Sequence, residues 1–180
     1  NGETKLVHEN IMEAIEQNHY LCVDFKYEND SDLINLMFLK KYLNRHYIGA
    51  TYLLIRYMPY SRMDRSENDS PFTLKYVADF INDLKFDSVT VVEPHSDVTC
   101  ALLENADAYY VNFELVEQVK ELVTFNEDKD YIVFPDAGAS KRYSKMKARN
   151  MLFCSKVRDF ETGEIKDLTL VGDTSKAYGR

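Results

Sequence analysis

The sequence predicts an α/β fold built on a largely parallel sheet. Short apolar, β-branched runs recur through the chain, and between them lie segments with apolar residues at helical spacing. Neither an internal repeat nor a low-complexity linker breaks the alternation. Three polar segments directly follow predicted strands. In an open sheet of this kind, ligands gather at the carboxyl ends of strands.

Each element follows from its own residues. Residues 20–27 (YLCVDFKY) read as a strand. Residues 32–44 place Leu33, Ile34, Met37, Phe38 and Leu43 at helical spacing, with Ser31 as N-cap. Residues 50–58 (ATYLLIRYM) read as a buried strand. Asp69 or Ser70 before Pro71 marks a helix start, and that helix buries Leu74, Val77, Phe80 and Ile81. A strand follows at 88–93, a short helix at 96–104, a short strand at 109–112 and a helix at about 113–123. The remainder reads as a strand at 131–134, a helix from about 139, a strand near 150–154 and a strand at 167–172.

Composition excludes several function classes. The 180 residues suffice for one good core, or for one domain and part of another. With a formal net charge of −8, broad binding to nucleic acid or to an anionic membrane is not expected, and an anionic ligand must be held by a local basic cluster. Cys22, Cys100 and Cys154 have no paired spacing, which predicts buried thiols in a reducing compartment without a disulfide frame or a zinc site. No signal peptide or long apolar run is present, so the expected location is the cytoplasm. Asn1 opens the chain and GDTSKAYGR closes it just past a predicted strand, so both ends are expected to be cut.

The polar segments carry the chemistry. PYSRMDR (59–65) sets Arg62 and Arg65 around Asp64. EPHS (93–96) places Glu93 and His95 beside a helix start. PDAGASKR (135–142) sets Asp136 before a small-residue turn leading to Lys141 and Arg142, where backbone N–H groups can cradle phosphate. Asp and His on neighbouring strand ends can hold a divalent cation or its water shell. A basic run follows: Lys141, Arg142, Lys145, Lys147, Arg149, Lys156 and Arg158. In an extended ribbon Lys156 and Arg158 point the same way. Each feature has a plainer reading as a surface ion pair, a capping histidine, a turn or a solvated face. Together, at one end of one alternating pattern, they point to phosphate-ligand chemistry.

These residues resemble the ribose-phosphate pyrophosphokinase (phosphoribosyl pyrophosphate synthetase) family. Asn1-Gly2-Glu3 is similar to the end of the family's F-x-D/N-G-E motif, and NDSDLINLMF (29–38) to its N-D-x-L-M-E-L-L helix. PYSRMDR resembles P-Y-A-R-Q-D-R/K, EPHS resembles D-L-H-A/S, and PDAGASKR resembles P-D-x-G-G-x-K/R-R. Lys156-Val157-Arg158 resembles the K-x-R of the flexible catalytic loop, and DLTLVGD the strand before the ribose-phosphate loop.

The resemblance implies a phosphoribosyltransferase-like (type I) fold with two similar domains, here 1–114, lacking its first strand, and 115–180, incomplete. It implies transfer of the β,γ-diphosphoryl group of Mg-ATP to the anomeric hydroxyl of ribose 5-phosphate, releasing AMP. Arg62, Asp64, Arg65 and His95 then serve ATP, and His95 and Asp136 serve Mg²⁺. Asp136, Gly138 and Lys141 bind phosphate and ribose, and Lys156 and Arg158 stabilise transition-state charge. A homo-oligomer, hexameric by resemblance, is expected.

The chain departs from the pattern at Met63 (usually Gln), at Glu93-Pro94 (usually Asp-Leu) and at Ala139 (usually Gly), and the family's D-D-x-x-x-T-G-G-T loop is absent. Two alternatives therefore stand beside the first reading. One is the same chemistry on another ribose 5-phosphate ester such as ADP-ribose. The other is a catalytically silent regulatory subunit, against which retention of His95, Asp136, Lys156 and Arg158 argues. A phosphoribosyltransferase shares the fold class but lacks PYSRMDR in its signature.

Overall fold

The computed structural model describes residues 3–66, 69–158 and 165–175, with backbone alone at Val157 and Arg158. Asn1 and Gly2 of the N-G-E stretch and the side chain of Arg158 lie outside the described residues. The elements run α1 (His8–Gln17), β1 (Tyr20–Phe25), α2 (Ser31–His46), β2 (Ala50–Ile55), α3 (Thr73–Asp83), β3 (Ser88–Val92), α4 (Val98–Leu102), β4 (Ala106–Tyr109), α5 (Val111–Leu122), β5 (Ile132–Phe134), α6 (Ala137–Arg142), β6 (Met151–Arg158) and β7 (Ile165–Val171). The chain divides into two compact units, Asn1–Tyr110 and Val111–Arg180.

The first unit carries a four-stranded sheet in the order β1-β2-β3-β4, parallel throughout. Strand β2 alternates instead of being buried on both faces. Thr51, Leu53 and Ile55 point inward, while Tyr52 on the other face is exposed. Leu53, Ile55, Val89 and Val91 meet Leu74, Ala78 and Ile81 of α3 in one buried cluster. Phe80, expected in the core, is only partly buried against it.

Helix α2 rotates from its expected face. Ile34 and Phe38 are exposed, and Leu36, Lys40 and Leu43 are buried instead. Its N-cap position falls at Asp30, with Ser31 the first helical residue. Lys40 is 4% exposed, and its ammonium donates to Thr51 Oγ1 at 2.6 Å beneath the Phe86 ring. Asp87 completes this network by accepting the Thr51 N–H at 2.7 Å. Burial lowers the Lys40 pKa, and the Asp87 charge opposes the shift.

Other boundaries also moved. α3 begins at Thr73, two residues past Pro71, whose carbonyl accepts the Thr73 N–H at 2.9 Å. β4 lies three residues before the expected strand, because pairing of Ala106–Tyr109 with β3 outweighs the stronger β propensity of Tyr110 and Val111. α1 was not anticipated. It places Ile11, Met12, Ala14 and Ile15 on its partly buried side. Cys22 is exposed on the outward pleat of β1 with Tyr20 and Asp24, against the expectation of a buried thiol. Cys100 and Cys154 are partly buried, and desolvation pushes the Cys100 thiol up.

The second unit has a three-stranded sheet, β5-β6-β7. β5 and β6 are parallel; β6 and β7 form an antiparallel ribbon with a register irregularity at Val157/Arg158. The connection from β6 to β7 is too short for a parallel crossover, which needs a dozen residues or more. Phe134, Ala139 and Met146 form its core, with Phe113, Val116, Tyr143 and Phe153 packed against them.

Candidate functional site

In the first unit the site is built where β2 and β3 end. Met58 and Pro59 are fully buried and anchor the departure of the chain from β2. Tyr60 then takes φ 58°, a left-handed conformation that side-chain-bearing residues adopt at a cost. Two turns follow, closed by Ser61 N–H to Met58 O at 3.3 Å and Met63 N–H to Tyr60 O at 2.9 Å. Leu74 N–H donates to Met63 O at 3.2 Å, fixing the loop to α3. The result is a cleft of about 400 Å³ lined by Tyr60, Arg62, Met63, Arg65, Pro71 and Thr73. Arg62 and Arg65 are exposed there, as a basic patch for an anion requires.

Asp64 faces the next strand end. Its Oδ2 accepts the Ser96 hydroxyl at 2.6 Å, so PYSRMDR and EPHS are joined directly. Glu93 has φ 48° and its N–H donates to Tyr109 O at 2.9 Å, which makes the sharp exit from β3. His95 stands exposed in that turn. The Tyr60 hydroxyl reaches Asp30, at 2.8 Å from Oδ1 and 2.9 Å from Oδ2. Ser96 and Asp30 were not singled out in the sequence, although both lie inside motifs that were.

In the second unit Asp136 caps α6, its Oδ1 accepting the Ala139 N–H at 2.8 Å. Lys156 on β6 reaches across to Asp136 Oδ2 at 3.3 Å. The Ala139 N–H, and after it Lys156 and Arg142, hold the Asp136 carboxyl below its ordinary value against the opposing effect of burial. The N–H groups of Ala139 and Ser140 are satisfied by Asp136 within the turn, so they are not open donors for phosphate. A Cβ on Gly138 would sit 3.3 Å from Asp136 Oδ1, so glycine leaves room for the capping carboxylate. Lys141 is exposed in the last turn of α6. The basic run is not one surface: Arg149 pairs with Asp128, whereas Lys156 joins Asp136.

Among the described residues, no three His, Cys, Asp or Glu side chains gather to hold an ion. Magnesium does not require such a cage, because it binds through one or two carboxylates with waters and substrate phosphates. The Asp136 carboxylate, ionised and 46% exposed, fits that role. His95 fits it less well as a direct ligand, since imidazole is not a hard oxygen donor. No described helix is long and apolar enough to cross a membrane.

The parallel sheet, with polar loops at its strand ends, defines an α/β protein of the architecture used by phosphoribosylpyrophosphate synthetases. The synthetase of Mycobacterium smegmatis superposes with a TM-score of 0.64 over 86% of this chain and 51% of its own, at 20% identity, a likeness of fold. The chain resembles ribose-phosphate pyrophosphokinases. The curated enzyme of that name from Sulfolobus acidocaldarius is 26% identical over 141 residues, covering 76% of this chain and 47% of the enzyme. The chain thus spans about half the length of these relatives. No protein-family model matches it.

Proposed function

We propose that the protein carrying this chain transfers the diphosphoryl group of Mg-ATP to the anomeric hydroxyl of ribose 5-phosphate, as a cytosolic homo-oligomer. The observation that carries this reading is the 3.3 Å approach of Lys156, on an antiparallel ribbon, to the strand-end carboxylate of Asp136. It sets a cation beside the turn that the resemblance assigns to substrate, and the curated relative's name supports the same chemistry. Diphosphoryl transfer asks a protein mainly for positioning and for charge stabilisation.

The residues divide that work. Arg62 and Arg65 hold nucleotide phosphates from the cleft rim. Asp64, fixed by Ser96, orients the loop between them. His95 donates a hydrogen bond to nucleotide or to metal-bound water. Asp136 would offer a hard oxygen to magnesium, which would supply neutralising charge to the phosphates. Lys156, with Arg158, moves from its pairing with Asp136 to the developing charge. Gly138 and Lys141 serve the sugar phosphate.

Phosphorus NMR on the whole protein tests this, with Mg-ATP and either ribose 5-phosphate or ADP-ribose as acceptor. AMP together with a new diphosphate ester is expected from ribose 5-phosphate. Product from ADP-ribose alone would reassign the acceptor. A folded protein that makes no AMP with either would overturn the reading.

A further inference from the structure

We propose that Asp30 is a positioning residue for the nucleotide loop, acting through Tyr60. The inference rests on assigning that loop to nucleotide phosphates, as above. Asp30 occupies the N-cap position of α2, yet its side chain makes no capping bond. The first helical N–H, that of Ser31, goes to Asn29 Oδ1 at 3.1 Å, while Asp32 takes the N–H groups of Glu28 at 2.9 Å and Asn29 at 3.0 Å in the turn before the helix. Asp30 is thereby left to two tyrosines. Tyr27 donates to its Oδ1 at 2.6 Å, and Tyr60, far along the chain, bridges both oxygens.

Tyr60 is where the loop acquires its direction. It has a left-handed backbone, it lines the cleft, and its carbonyl closes the turn to Met63 between Arg62 and Asp64. A conformation of that kind persists only where its surroundings determine it. Asp30 supplies the determinant from one side, and Tyr27 fixes Asp30 in turn, its ring stacked on Tyr57 at 6.4 Å. At the loop's other end Ser96 holds Asp64. The two guanidinium groups are therefore presented from a segment fastened at both ends. The tyrosine bonds also hold the Asp30 carboxyl below its ordinary value, so it stays a charged acceptor at neutral pH.

The test follows backbone amide resonances of residues 61–65 together with Mg-ATP affinity in Asp30→Ala, Asp30→Asn, Tyr60→Phe and the Asp30→Ala/Tyr60→Phe double variant. Asp30→Ala is expected to move the amides of Arg62–Arg65 and to weaken Mg-ATP binding about tenfold, the scale of one hydrogen bond to a charged group. Asp30→Asn, which keeps an acceptor, should restore most of the affinity. Tyr60→Phe should reproduce Asp30→Ala, and the double variant should be no weaker than the weaker single. Amide changes confined to α2 and the turn before it would overturn the proposal, as would affinities that match the unsubstituted protein. Where the unsubstituted protein binds no nucleotide, the functional reading itself falls, and the amide shifts alone decide whether Asp30 sets the loop.

Discussion

The Ser96 hydroxyl donates to Asp64 Oδ2 across 2.6 Å, joining the loop after β2 to the loop after β3. Two segments that are far apart in sequence are thus one piece of chemistry. Ser96→Ala should cost about 1.5 kcal/mol of stability, the low end for one hydrogen bond to a charged group at a part-buried position. It should also raise the KM for ATP more than it lowers kcat if, as proposed, the loop binds phosphates and stands clear of the reacting atoms. Steady-state kinetics with a urea titration checks both, and an unchanged KM would leave the bond a purely structural role.

Lys156→Ala should lower turnover about 10²–10³-fold if its ammonium stabilises charge in the transition state. The melting temperature should hardly move, because the lysine is partly exposed and its one described ion pair is with a half-exposed carboxylate. A variant with native turnover would remove Lys156 from the mechanism.

Gly138→Ala probes the cap of α6. The added methyl group would press on Asp136 Oδ1 at 3.3 Å and weaken the bond from Ala139. A loss smaller than about 1 kcal/mol is expected, because strain on the cap is partly offset by the better helix propensity of alanine. Circular dichroism during thermal melting reads this, and a variant as stable as the parent would show that the carboxylate can shift aside.

Thr51→Val keeps the shape of the buried side chain and removes its hydroxyl. Lys40 then loses its 2.6 Å acceptor while 4% exposed. The expected destabilisation is about 1–3 kcal/mol, measured by urea unfolding. An unchanged midpoint would mean that the ammonium had found water.

Acid should weaken the fold in a defined window. Arg56 lowers the Asp24 pKa, the Thr51 N–H lowers that of Asp87, and the Ala139 N–H lowers that of Asp136, each from 3.8. Folded values below unfolded ones make these carboxylates stabilising above the unfolded value, and that contribution is lost as pH falls through the folded value. The urea midpoint should therefore stay level with respect to these groups down to about pH 4 and drop below it. Asp87→Asn should shrink the drop, and an equal drop in that variant would exclude Asp87 as a source.

Much of the fold was legible because apolar runs such as SVTVV and ATYLLI allow few alternatives to a buried strand. Helix α2 shows the limit. Counting apolar residues could not reveal that Lys40 would turn inward, because what receives it is Thr51, eleven residues on, and Asp87, on the approach to β3. Strand β4 shows another, since its Ala and Asp residues are poor strand formers made into a strand by the neighbour they pair with. The site loops were marked by their residue types. Their fastening by Asp30 and Ser96 was not, because a hydrogen bond between distant positions leaves no local period.

The Lys40–Thr51–Asp87 network has a further consequence for how the chain finds its fold. A parallel strand can slide along its neighbour, and a slip of one residue turns every side chain to the opposite face. Such a slip in β2 would carry the Thr51 hydroxyl away from the buried ammonium and leave a charge stranded in the interior. Hydrophobic residues alone, Leu53 and Leu54 being side by side, discriminate weakly between the two alignments. The polar triad works as a key that only one alignment turns, and it proofreads the assembly of the sheet on which both loops depend.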